Sequence, residues 1–328
     1  MKVGLDTFTI RELRLGPFAT LEFIRKHDLD GAQFGGLRGL SKNLDPGELR
    51  EVRSHAGRLG LYTHVSVPTC NPHLARGSLD DHTEEVARQI EAAAACGWHE
   101  LHSSLGGLAE RYEHPVPWTQ HLADSAALIR RLGPVLRAHA SRINLETHGD
   151  TTTFELVRLV EDVGADIAGI CLDTANVLCH AEDPVMAARR AAPYTHLTHV
   201  KDAIAFFSET GYTRQGRAPG QGCLDWGRIL PILGEHSPDL PLSIEDHKWL
   251  FTFDLFDERW LSLHPDLTCV EMAKVVEIIV GCERRIAAGE WESPAEYEAI
   301  PYMDQMMERL HFGRDYLKGM LGTLGLAG

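Results

Sequence analysis

Short runs of β-branched and apolar residues alternate along this chain with longer stretches in which apolar residues recur every three or four positions. Eight runs read as strands: residues 2–5, 31–34, 61–67, 100–103, 143–146, 167–173, 196–201 and 240–245. The intervening segments LEFIRKH, PGELREVRSHAGRLG, EEVARQIEAAAA, DSAALIRRLGPVLRAHA, FELVRLVEDV and DWGRILPIL have helical period. Asp45 before Pro46 marks one helix start, and Asp80 with Glu84 brings acids into the first turn of another. The alternation runs from residue 2 to about residue 290 without a low-complexity linker, which predicts βα units around one parallel sheet.

Two sheets satisfy that pattern. A doubly wound nucleotide-binding sheet needs a glycine-rich first crossover, and here that crossover reads DTFTIRELRLGPF. The later glycine clusters, GRAPGQG at 216–222 and Gly35-Gly36, lack a phosphate-cradling pattern. The expected fold is therefore a closed (β/α)8 TIM barrel with extra C-terminal helices. Residues 1–290 are assigned to the barrel and 291–328 to a helical extension. After the eighth strand, residues 248–268 carry Trp249, Phe251, Phe253, Phe256 and Trp260 and exceed an ordinary βα loop. They are expected to pack over the barrel end, or else to form a lid or subunit interface. Helices are expected at about 270–288 and at 293–321, broken near Pro301.

Composition narrows the partners. The 47 acidic against 32 basic residues leave a net charge of −15, which opposes phosphate backbones and anionic lipid surfaces. Neither nucleic acid nor membrane is expected as a partner. Seven scattered cysteines without a CxxC pair suggest neither a disulfide framework nor a zinc knuckle. With no apolar signal segment in MKVGLDTFTIRELRL and no run of 18 apolar residues, the expectation is a cytoplasmic protein.

Reactive groups in such a barrel sit where strands run into their carboxyl-end loops. The fifth strand ends in Glu146, the sixth in Asp173, the seventh contains His199 and the eighth ends in Glu245. Any one acid at a strand end is commonly a helix cap or ion-pair partner. Three converging carboxylates repel unless protonated or neutralised, and a bound cation resolves that conflict. Three oxygen donors and one imidazole suit Mn²⁺, or Mg²⁺ or Co²⁺, better than structural zinc. His148, two residues beyond Glu146, faces the same side if the strand continues and is the expected general base, with orientation of Glu146 or helix capping as its plainer role. His64 and His102 lie near the ends of strands three and four. Lys201 is placed to neutralise an oxyanion unless it forms a surface ion pair with Asp202, and Asn176 to donate to a sugar hydroxyl unless it caps a turn.

Those four positions, with LDTANVL, HVKD and RAPGQGCLDW between them, resemble the xylose isomerase-like barrel superfamily of sugar isomerases, epimerases and inosose dehydratases. The resemblance implies a Mn²⁺-type ion held by Glu146, Asp173, His199 and Glu245, and a ketose or keto-cyclitol substrate. Ketose 3-epimerases usually carry a histidine and an arginine where this chain has Asn176 and Ala205, so HVKD looks more like the dehydratase branch. More narrowly, LETHGDTTTFELVRLVEDVG and the aromatic insertion are similar to the large subunits of bacterial C-glycoside deglycosidases. That likeness implies a small β subunit as partner and a 3-oxo-C-glucoside as substrate. It also implies His148 as the base beside the four metal ligands; Glu146 and Glu245 are expected to act with it as catalytic groups, and the positions of His64, His102, Asn176 and Lys201 place them as expected contacts to the sugar. Isomerisation or epimerisation through Glu146 and Glu245 is the alternative, and a non-catalytic interaction protein the outsider.

Overall fold

Eight parallel strands hydrogen-bond in a closed ring in the computed structural model, which describes residues 1–328. In chain order the strands are β1 (Lys2–Asp6), β2 (Gly31–Phe34), β3 (Tyr62–Ser66), β4 (Glu100–Ser103), β5 (Arg142–Glu146), β6 (Ala168–Asp173) and β7 (Thr195–Val200), followed by β8 (Asp202–Phe207), β9 (Tyr212–Arg217), β10 (Pro241–Ile244) and β11 (Leu250–Phe253). The ring runs β1-β10-β7-β6-β5-β4-β3-β2, and β11-β9-β8 form a separate three-stranded antiparallel sheet. The expected (β/α)8 barrel is thus the observed one, each strand lying within a residue or two of its expected position.

Outward-facing apolar residues such as Val3, Leu5, Val65, Leu101, Ile143 and Leu145 are buried under the helices. The inward face is filled by alternation of large and small side chains. Tyr62 crosses the lower barrel to within 3.2 Å of Ser243 Oγ, and a Cβ at Gly4 or Gly31 would collide with its ring. Helix starts follow local chemistry. Asp45 accepts from the amides of Gly47 and Glu48 to open helix Pro46–Arg58. Thr152 and Glu155 form a capping box that opens Thr153–Val163 and so fixes the short loop after β5.

The hairpin β8–β9 was not expected: between the seventh strand, expected to end at residue 201, and the glycine cluster at 216–222 no further strand was assigned. The aromatic stretch contributes β11, which pairs with β9 from Leu250↔Gln215 to Phe253↔Tyr212. Asp202 was considered as half of a surface ion pair with Lys201, yet both are buried. Asp202 instead gathers the amides of Ala203, Gly220 and Leu224 and the indole of Trp226, tying the GRAPGQG loop to the root of the hairpin. Burial pushes its carboxyl up to about 6.

Two helices, Cys269–Ala287 and Pro294–Ala299, are additions to the barrel. The last, Tyr302–Leu324, packs on β1 and β10, and the chain's amino group donates to Leu326 O and Pro238 O. Arg309 on this helix grips Asp246 through Nε (2.6 Å) and Nη2 (2.5 Å), both residues being 3% exposed. Asp246 follows Glu245 directly, so this pair anchors the end of β10. Arg309→Met leaves a buried carboxylate unpaired and is expected to cost about 3–5 kcal/mol. A double-mutant cycle with Asp246→Asn on denaturant midpoints should give a combined loss well below the sum; strict additivity would show that the two side chains are uncoupled.

Candidate active site

Each barrel strand delivers one polar side chain to a single layer at the carboxyl mouth, because residues two apart on a strand share a face. The layer comprises Asp6, Gln33, Ser66, His102, Glu146, Asp173, His199 and Glu245, with Lys201 beside them. Their contacts are continuous. Ser66 Oγ lies 2.8 Å from His102 Nδ1, and His102 Nε2 donates to Glu146 Oε2 at 3.0 Å. His199 Nδ1 lies 3.0 Å from Glu146 Oε1 and 2.9 Å from Glu245 Oε2. Lys201 Nζ bridges Asp173 Oδ2 (2.6 Å) and Glu245 Oε2 (2.7 Å).

Electrostatics in this layer are set by mutual compensation. Burial disfavours the Glu146 carboxylate, but the charges of His199 and His148 and a hydrogen bond from His102 outweigh it and hold the group well below the ordinary range. Burial likewise opposes the Glu245 carboxylate, and Lys201 and His199 reverse the effect. At Asp173 burial wins over Lys201, and the carboxyl is raised. Burial lowers His199, yet Cys171, Glu245 and Glu146 together lift it well above a normal imidazole. The donors fit a divalent cation. One ligand atom each from Glu146, Asp173, His199 and Glu245 lies within 4.8 Å of the others, and all four residues are buried. Glu146 Oε1 and Glu245 Oε2 both approach His199 Nδ1 within 3.0 Å, and a cation would take the place of the proton between them. Gln33 Nε2 lies 2.5 Å from His199 Nε2, and the Gln33 amide oxygen makes no hydrogen bond. With that amide turned over, Gln33 Oε1 would accept from Nε2–H and leave the Nδ1 lone pair for a cation.

His148 stands in the loop after β5, its side chain 40% exposed. Nδ1 lies 2.9 Å from Gly106 O, a pure acceptor, so Nδ1 carries the hydrogen and Nε2 keeps a lone pair. Asp150, which the sequence reading missed, is wholly buried 4.0 Å from that Nδ1 with both oxygens unpaired, and burial pushes it up to about 7. Burial lowers His148, but Glu146 and Asp150 outweigh it and raise the imidazole. The helix cap considered for His148 belongs to Thr152. Two expected contacts lie elsewhere. Asn176 spends its amide on Asp173 Oδ2 at 2.7 Å and so orients that carboxylate. His64 lines the opposite, amino-terminal mouth with Lys2, Tyr62, Glu100 and His196 around a cavity of about 560 Å³, and burial lowers it to about 4. It points inward from β3, but one side-chain layer too low. Cys171 was also missed: with His102 and His199 it forms a second, softer donor group sharing one ligand with the first.

A (β/α)8 barrel carrying three carboxylates, an imidazole and an ammonium at its carboxyl mouth belongs to the class of barrel enzymes whose chemistry sits on the βα loops. Residues 21–252 match the xylose isomerase-like TIM barrel family, and the chain belongs to it. Among curated proteins it is 22% identical over 223 residues to the uncharacterized protein YihM of Escherichia coli (strain K12), spanning 67% of this chain and 61% of that protein. It is 25% identical over 210 residues to the 3-oxo-isoapionate decarboxylase of Pectobacterium atrosepticum, spanning 63% of this chain and 68% of that enzyme. A D-psicose 3-epimerase structure with D-tagatose, from Clostridium cellulolyticum H10, superposes with a TM-score of 0.64 at 15% identity, covering 96% of this chain and 98% of that one. No helix is long and apolar enough to cross a membrane.

Removing a ligand should weaken the cation more than removing a residue that only orients one. Glu245→Gln and Asp173→Asn are expected to lower Mn²⁺ affinity beyond the roughly 10- to 100-fold typical of an outer partner, and Ser66→Ala to stay within that range. Calorimetric titration checks this; equal affinities across the set would dissolve the assigned centre.

Proposed function

We propose that this protein is a divalent-metal-dependent enzyme that removes a proton from carbon beside the carbonyl of a keto-sugar. In its sharpest form the reaction is cleavage of a 3-oxo-C-glucoside by elimination. The buried Glu146–Asp173–His199–Glu245 cluster, with an imidazole on the adjoining loop, carries this reading. Glu146, Asp173, His199 and Glu245 would hold the ion, Mn²⁺ by preference for hard donors, with Mg²⁺ or Co²⁺ next. When bound, such an ion polarises a carbonyl oxygen and makes the neighbouring carbon acid stronger.

The chain's own groups supply the rest. His148, with its hydrogen held on Nδ1 by Gly106 O, takes the proton of sugar C2 at Nε2. Lys201, kept charged by Asp173 and Glu245, places an ammonium beside the developing oxyanion. The electron pair of the broken C2–H bond becomes the C1–C2 double bond. The pair from the bond between C1 and the aglycone leaves with the aglycone, which takes up a proton. The product sugar is a conjugated enone. By the same reading the chain works with a small second subunit, and its seven free cysteines suit a reducing compartment such as the cytoplasm.

The curated decarboxylase and the structurally similar epimerase support keto-sugar chemistry in general, and epimerisation is the second outcome of the test. Incubation of the Mn²⁺-loaded protein with a 3-oxo-C-glucoside in D₂O should release the aglycone and create ultraviolet absorbance from the enone. His148→Ala should lower kcat by about 10²- to 10⁴-fold while keeping the metal. Deuterium incorporation with composition conserved would replace elimination by epimerisation; full activity of His148→Ala would refute the base.

A further inference from the structure

Arg214 is the one arginine of the buried interior whose whole guanidinium lacks a hydrogen-bond partner: it is 0% exposed, Nε, Nη1 and Nη2 make no hydrogen bond, and its guanidinium carbon lies 5.7 Å from the centre of the Phe251 ring. The protein treats its other buried arginines differently. Arg111 meets Glu155 and Arg309 meets Asp246, half-buried Arg190 meets Glu182 and Glu271, and Arg217 donates to Gln215 Oε1 and lies over the Tyr297 ring. A charged group so placed is strongly disfavoured unless an anion completes it.

Its position is that of a group facing the mouth of the barrel. Tyr212 and Arg214 share one face of β9, and the Tyr212 hydroxyl reaches Leu178 O and the amide of Ala181 in the loop after β6. The opposite face, with Gln215 and Arg217, turns toward Pro294, Tyr297 and Glu298. Gly216 continues the face of Tyr212 and Arg214, and a Cβ there would collide with His247 O, so the segment two residues beyond Glu245 packs against it. His247 is itself buried, with Nδ1 unpartnered. Two unsatisfied groups from different elements therefore adjoin the layer that holds Lys201 and Glu245.

We propose that Arg214 binds a carboxylate carried by the substrate, with His247 as a neighbouring polar contact. The planar fork matches a carboxylate with two parallel hydrogen bonds, as the paired arginines of this chain show. This rests on the keto-sugar reading and narrows it to an acidic substrate, the acid borne either by the sugar or by the group leaving it. Arg214 is then a specificity determinant, separate from the groups that move the proton.

Three probes distinguish the sources: a 3-oxo-glucuronide, a 3-oxo-glucoside with a 4-carboxyphenyl aglycone, and the neutral phenyl 3-oxo-glucoside. The wild-type protein should favour one acid over the neutral compound in kcat/KM by roughly 10- to 100-fold, the loss expected for a charged hydrogen-bonded pair. In Arg214→Met that ratio should collapse toward one, and in Arg214→Lys it should fall part-way. Without ligand, Arg214→Met should hold or raise the thermal midpoint, because an unpaired buried charge is removed; a purely structural arginine would lower it. No preference for either acid, or an unchanged ratio in both variants, overturns the proposal. C2 deuterium exchange on the neutral probe reports the keto-sugar reading separately: exchange without acid preference leaves that reading standing. Acid-dependent stabilisation of the wild type by D-glucuronate without exchange on any probe leaves the Arg214 site standing instead.

Discussion

Three carboxylates share one buried layer, and the rest of the upper barrel is arranged around their repulsion. Removing Glu146, Asp173 and Glu245 from water and from countercharge together would cost many times the margin by which a domain is stable. Lys201, His199 and His102 supply hydrogen bonds and positive charge against this repulsion, yet burial still raises the Asp173 carboxyl. The layer is thus rigidly positioned and incompletely compensated, the condition under which a cation is bound rather than merely attracted. Outer residues complete the arrangement: Asn176 fixes Asp173, Gln33 and Asp6 approach the far nitrogen of His199, and Ser66 adjoins His102.

Much of this was legible because strand geometry converts sequence position into direction. Once eight strands were recognised, the three acids and one histidine at the ends of four successive strands had to meet at one mouth, and His148 had to lie near Glu146. The barrel itself followed from regular alternation and the absence of a phosphate loop. What escaped was governed by burial rather than by period. The β9 segment YTRQGR is wholly buried yet carries Thr, Arg, Gln and Gly, so no apolar alternation marks it as a strand. His64 was near the right strand end by count, but the ladder sets it beside Gln33 and its side chain opens to the other mouth. Asp150 gave no signal, because a carboxyl two residues after a histidine reads as an ordinary loop residue.

The C-terminal region shows how sequence-remote parts serve this layer. Tyr302 donates its hydroxyl to Thr9 O and Asp246 O, and Arg309 clamps the Asp246 carboxylate. Thr9 in turn accepts from the Asp246 amide and donates to Ile244 O. These bonds close the ring where β1 meets β10, the seam between the two ends of the barrel. Glu245 is the last residue before Asp246, so its direction depends on a helix more than fifty residues further along the chain.

The hairpin follows from the same economy of placement. Lys201 ends the barrel segment and Asp202 begins β8 with only one peptide bond between them, so the hairpin cannot shift without moving the ammonium that bridges Asp173 and Glu245. Asp202 locks its root through four donors, and β11 locks its outer edge. A short insertion held this firmly can carry Arg214 buried and unpaired, where a mobile loop would turn the guanidinium to water. On the proposal for Arg214, the groups that move the proton stay on the barrel strands and the β5 loop, while recognition of the substrate's acid rests on the hairpin.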